Sequence, residues 1–178
     1  GMNIIIARHA GFCFGVKRAT DAAEAALSGG GRICTLGRLI HNDGYTKSLR
    51  ERGVEEIGTG DIDGIAADAA KGEKITVIIR AHGEIRENLE KLQALRDKYE
   101  NFTLLDCTCP YVNKVRRIAA ENSGEGKLFI LIGSKEHPEV RGIMSCCSSG
   151  DMVFANAGEL EAFLNGGNAP KAGSVKVS

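Results

Sequence analysis

Ile75-Thr76-Val77-Ile78-Ile79-Arg80 is an unbroken, largely β-branched run that passes through Ala81-His82-Gly83 into a charged helical pattern from Ile85 to Tyr99. A short apolar run followed at once by glycine and a helix reads as a buried parallel strand feeding a βα turn. The alternation repeats on both sides. Upstream, Asn3 to Ala7 reads as a strand and Val16 to about Ser28 as a helix, stopped by Gly29-Gly30-Gly31. A second strand, Arg32 to Leu36, leads through Gly37-Arg38-Leu39-Ile40-His41-Asn42 into a helix ending near Gly53. A weaker strand at Val54 to Ile57 precedes a Gly/Asp-rich passage to Gly72 in which no element is assigned.

Downstream, strand Phe102 to Asp106 leads through Cys107-Thr108-Cys109 into a helix from Pro110 to about Asn122. A continuous apolar strand at Lys127 to Ile132 follows, then His137-Pro138, with Pro138 opening a short helix. Met152 to Ala155 and Ala157 to Leu164 form the last strand and helix, and Ser174 to Ser178 has the look of a further strand. The fold class is therefore α/β, built of repeated small βα units with mostly parallel sheets. The expected boundary lies near Asp106 to Cys109, giving lobes over 1–107 and 108–178.

The chain has 178 residues, 43% hydrophobic and 26% charged, an ordinary globular composition that excludes disorder as the main reading. Its 23 basic and 23 acidic side chains cancel, so no excess positive field draws it to nucleic acid or to an anionic membrane. An anionic ligand has to be caught by a local site. No apolar stretch approaches the roughly 20 residues of a spanning helix, and Arg8-His9 interrupts the apolar start. The expectation is a cytoplasmic protein, not a membrane one. Six cysteines in such a chain read as thiols, metal ligands or nucleophiles more readily than as a disulfide framework.

Cys13, His41, His82, Cys109 and His137 each fall between the C-terminal end of a strand and the next helix. That edge of an open α/β sheet is where ligands bind. A lone cysteine or histidine is usually a packing or surface residue, but three of the four histidines and two of the six cysteines share this position. Gly11-Phe12-Cys13-Phe14-Gly15 allows close backbone approach and sets Cys13 just before a helix, where a thiolate is stabilised. Cys109 has the same setting before Pro110, and Cys107 two residues earlier faces the same side of an extended backbone. Zinc favours paired C-x-x-C spacing, absent from Cys107-Thr108-Cys109 and from Cys146-Cys147, whereas iron–sulfur clusters accept thiolates gathered singly. The imidazoles of His41, His82 and His137 stand beside helix N-termini, where phosphate oxygens are readily bound. Glu139 is a candidate proton donor or an exposed helix carboxylate. His9 reads as structural or surface, Cys34 as a small buried residue, and Arg116-Arg117 and the Glu/Lys alternation of 84–100 as solvated helix faces.

Gly11-Phe12-Cys13-Phe14-Gly15-Val16, Ile40-His41-Asn42, Arg80-Ala81-His82-Gly83, Asp106-Cys107-Thr108-Cys109-Pro110 and His137-Pro138-Glu139-Val140-Arg141-Gly142 occur in the order and spacing of the 4-hydroxy-3-methylbut-2-enyl diphosphate reductase family, which the chain resembles along essentially its whole length. The resemblance implies two of the three lobes of a trefoil-like arrangement around a central 4Fe-4S cluster. It implies that an allylic alcohol diphosphate loses its hydroxyl as water, with two electrons and two protons, to give isopentenyl and dimethylallyl diphosphates. Cys13 and Cys109 resemble cluster ligands, His41, His82 and His137 resemble diphosphate-binding histidines, and Glu139 resembles the acid that feeds protons to the substrate.

The family's third cluster cysteine comes from a third lobe, expected outside these residues, so the segment alone is expected to be inactive. Cys107 reads as a neighbour of the ligand, and Cys146 and Cys147 lie where the family places none. The expected electron donor is a ferredoxin or flavodoxin. Two rival readings are a zinc-binding, non-catalytic α/β module using Cys107, Cys109, Cys146 and Cys147 with a histidine, and a thiol enzyme with Cys13 as nucleophile.

Overall fold

In the computed structural model, residues 14–124, 126–148 and 151–166 are described. The expected strand at Asn3 to Ala7, the Cys13 loop and the strand-like Ser174 to Ser178 lie outside them. The described chain runs α1 (Phe14–Gly29), β1 (Arg32–Leu36), α2 (Asp43–Glu51), β2 (Val54–Ile57), a 3-10 turn (Thr59–Asp61) and α3 (Ile62–Ala70). It continues with β3 (Ile75–Ile79), α4 (Arg86–Lys98), β4 (Phe102–Asp106), α5 (Pro110–Asn122), β5 (Phe129–Ile132), α6 (Pro138–Met144), β6 (Asp151–Phe154) and α7 (Ala157–Leu164).

All pairings between these strands are parallel, in one sheet ordered β2-β1-β3-β4 and a second formed by β5 and β6. Every residue of β3 is buried, as a central strand covered on both faces must be. The two-residue period sorts its side chains. Ile75, Val77 and Ile79 join Cys34, Leu36, Ile62, Ile65, Ala69 and Leu92 under α3 and α4. Ile78 faces the other way, with Ala19 and Ala23 of α1, Leu49 of α2, and Cys107. Cys34 is thus the small buried residue its strand context suggests, its thiol pushed up to about 11 chiefly by burial.

Two elements go beyond the sequence reading. The Gly/Asp-rich passage before Gly72 folds into the 3-10 turn and α3, whose buried Ile62, Ile65 and Ala69 keep helical spacing despite Gly60 and Gly64. The apolar strand β5 is only half-buried, with Ile132 50% exposed, because β6 is its single partner among the described residues.

Leu92 is fully buried on the α4 face, so Leu92→Ala removes packing that the surrounding sheet cannot replace. We expect a loss of about 2–5 kcal/mol in urea unfolding, with the slope unchanged. A loss below about 0.5 kcal/mol, the range of a surface substitution, would contradict this packing.

Candidate functional site

In the four-stranded sheet the chain passes outward from β1 to β2 and then returns to the opposite side of β1 as β3. The strand order reverses between β1 and β3, the switch point at which open α/β sheets leave a crevice beyond the strand ends. The turn after β1 carries His41 and the turn after β3 carries His82. Their ring centroids lie 5.7 Å apart. His137, from the loop after β5, brings its ring to 5.2 Å from that of His82 in an edge-to-face arrangement. Three imidazoles from three separate strand ends therefore form one row with His82 at its centre.

Each is positioned by its own local chemistry. Asn42 caps α2, its Oδ1 accepting from the Tyr45 amide at 2.9 Å, and His41 is the residue before it. His137 is itself the cap of α6: its Nδ1 accepts from the Glu139 amide at 3.2 Å. A neutral ring with Nδ1 as acceptor carries its proton on Nε2, which is left as a donor. The His82 turn needs Gly83, whose φ of +76° few side chains adopt and whose missing Cβ admits Thr108. Gly37, with φ of +71°, lets the Arg80 guanidinium pack against the His41 loop, where Arg80 Nη1 donates to the Arg38 carbonyl at 3.4 Å. Arg80 Nε is buried with no partner among the described residues.

The cysteine loop is tied to the same edge. Beyond β4 the ladder continues, with the Cys107 amide donating to Ile79 O and the Cys109 amide to Ala81 O, both at 2.9 Å. Cys109, beside His82's own neighbour, is the buried N-terminal flanking residue of the 13-residue α5. Thr108 is buried between them, its amide donating to Asp106 Oδ1 at 2.9 Å. Cys107 turns away: its thiol lies 3.8 Å from the Arg18 carbonyl of α1, and burial raises its pKa. Glu139 is half-buried in the first turn of α6, two residues from His137. Cys13 lies outside the described residues.

Among the described residues no three His, Cys, Asp or Glu side chains come together as a metal-holding group. The four-cysteine set of the zinc-module reading is therefore not assembled. Cys146 bonds back to Gly142 O at 3.5 Å, and the Cys147 thiol is pushed up to about 11, first by burial and then by Asp151. The five described cysteines are all free.

Two arginines escaped the sequence reading. Arg80 was visible only as part of a motif, with nothing to mark its role. Arg116, expected on a solvated face, is 7% exposed. Its place between buried Val112 and Ala119, at helical spacing, was the available signal.

A parallel sheet whose switch-point edge carries a row of imidazoles and a buried cysteine at the head of a helix defines an α/β protein with its candidate site at the strand ends. The LytB protein family model matches residues 4–176, and the chain belongs to that family. It is 36% identical over 176 residues to the 4-hydroxy-3-methylbut-2-enyl diphosphate reductase of Geotalea daltonii, covering 99% of this chain and 55% of the relative. Against the protein of the same name from Aquifex aeolicus it is 42% identical over 149 residues, covering 80% and 45%. Among solved structures, (E)-4-hydroxy-3-methyl-but-2-enyl diphosphate reductase, described as the terminal enzyme of the non-mevalonate pathway, matches with a TM-score of 0.64 at 37% identity, over 91% of this chain and 54% of that one. The E-1-hydroxy-2-methyl-but-2-enyl-4-diphosphate reductase of Plasmodium falciparum matches with a TM-score of 0.65 at 28% identity, over 85% and 44%. The chain thus spans about half the length of the curated relatives it matches. Among the described residues no helix is long and apolar enough to cross a membrane.

The site has a pH signature. The His82 pKa is lowered, first by burial and then by Arg80, His137 and His41. Unfolded, His82 titrates near its ordinary 6.5, so just below that value the unfolded chain holds more protons than the folded one. Stability is then lost as pH falls from about 7 toward 5, and His82→Gln should flatten that slope in denaturant titrations. An identical slope in the variant would contradict the depressed pKa.

Proposed function

We propose that the protein carries out, or supplies about half of the machinery for, reductive dehydroxylation of 4-hydroxy-3-methylbut-2-enyl diphosphate. The C–O bond to the allylic hydroxyl breaks, two electrons and two protons are taken up, and water leaves with isopentenyl or dimethylallyl diphosphate as product. The observation that carries this reading is the row of imidazoles at 5.7 and 5.2 Å from three separate loops. No packing need gathers three histidines at one sheet edge, whereas a diphosphate offers oxygens to each. The family and the named relatives supply the substrate.

His137 would donate through Nε2, its Nδ1 being engaged by the Glu139 amide. His82 is held neutral by its surroundings and gains a reason to protonate when an anion replaces water beside it. His41 closes the row from the α2 side. Glu139, in the first turn of the helix that His137 caps, would pass protons to a substrate held there. Cys109 would be one ligand of a 4Fe-4S cluster: it is a free, buried cysteine at the head of α5. Cys13, directly before α1 in sequence, would be the second, and the third is expected from outside these residues. When bound, the cluster supplies a Lewis-acid iron for the hydroxyl and the path for electrons.

On this reading residues 1–107 form the first lobe and 108–178 the second, and a third lobe completes the site. The electron donor would be a small redox protein, a ferredoxin or flavodoxin. The free thiols suit a reducing compartment such as the cytoplasm.

The test uses the full-length gene product, reconstituted with iron and sulfide under anaerobic conditions and assayed with reduced methyl viologen. We expect iron loading that falls on Cys109→Ser, and turnover that drops by about 10²–10⁴ in Glu139→Gln with little change in iron. Full turnover in Glu139→Gln would remove the proton role, and unchanged iron in Cys109→Ser would remove the ligand role.

A further inference from the structure

Arg116 is a buried cation without a carboxylate partner among the described residues, an arrangement that demands compensation from hydrogen bonds. It projects from the middle of α5 into the seam between two of the histidine-bearing segments. Its Nη1 donates to the carbonyl of Glu84 at 2.5 Å. The same nitrogen lies 3.3 Å from where a Cβ on Gly83 would stand and 2.9 Å from where one on Gly142 would stand. Gly83 follows His82 directly, and Gly142 lies in α6, the helix that His137 caps. The two glycines are therefore the walls of a slot that the guanidinium fills.

Among the described residues one hydrogen bond joins the two segments directly, from the Arg86 amide to Ser145 Oγ at 2.9 Å, while Arg116 is bonded to the Glu84 carbonyl and meets α6 by contact at Gly142. The direct bond joins the segments at the far end of α6 from His137. The guanidinium meets the first segment at Gly83, the residue next to His82.

We propose that Arg116 is a positioning residue: it clasps the His82 turn to α6 and so sets the spacing of the His82 and His137 rings on which anion binding depends. The proposal rests on reading the imidazole row as an anion site, but the clasp itself is measurable without any ligand. A planar group with donors in a fixed fork suits a slot between two backbones, where a lysine ammonium would reach one carbonyl and leave the rest unfilled.

The experiment is performed on the full chain and reads two quantities: the nuclear Overhauser contact between the His82 and His137 rings, and the affinity for inorganic pyrophosphate by calorimetry. In Arg116→Met the ring contact should vanish and pyrophosphate binding should weaken by about tenfold or more, with Arg116→Lys intermediate. Gly142→Ala is the second variant. It favours the helix it sits in, so α6 is retained, yet its methyl would stand 2.9 Å from the guanidinium Nη1 and 3.3 Å from the Glu84 carbonyl oxygen, and by pressing the clasp apart should give the same loss.

Retention of both the ring contact and wild-type affinity, within about twofold, in either folded variant would overturn the clasp while leaving the anion site standing. Loss of the ring contact in a chain whose wild type does not bind pyrophosphate would keep the clasp and overturn the anion reading.

Discussion

The fully buried strand β3, hydrogen-bonded in parallel to β1 on one side and to β4 on the other, is the constraint on which the site depends. Its register aligns Ile79 with Leu36 and with Asp106, so the three strands end at the same level. The turns that follow, carrying His41, His82 and Cys109, are delivered to one edge without any further specification. Two ladder bonds past the end of β4 then hold the cysteine loop against the His82 turn. A one-residue slip of β3 would turn Ile75, Val77 and Ile79 from one core to the other, so burial on both faces protects the register, and with it the site.

The electrostatics follow from the same placement. A chain with balanced charge has no long-range field to gather an anion, so any such attraction has to be local. The three imidazoles pack in a row at this edge, neighbours within 6 Å of one another, each offering a ring nitrogen to a shared ligand. Arg80 adds a permanent positive charge at the same edge, held against Gly37. Its charge adds to burial in lowering the pKa of His82.

Much of this was legible in the sequence. Strands β1, β2 and β4, with helices α5 and α7, fall at the residues where hydrophobic period and turn residues put them, because buried parallel strands and capped helices announce themselves locally. The edge position of His41, His82, His137 and Cys109 was equally readable. What local pattern could not supply is which loops meet. The 5.2 Å approach of His137 to His82 joins residues from different sheets. The helix α3 was hidden by glycines that propensity counts against a helix, and was retained because its apolar stripe packs on the sheet. Arg116 was misread because charge normally signals solvent, and only its tertiary slot reverses that expectation. The exposed side of β5 has the converse reason: an apolar run is buried only where a partner covers it.

A crystal structure of the full-length gene product with the allylic diphosphate bound tests the central claim most directly. Diphosphate oxygens within hydrogen-bonding distance of His41, His82 and His137, with His137 donating through Nε2, is the result this account predicts. A diphosphate seated elsewhere, with the three imidazoles still clustered and facing only water, would contradict it.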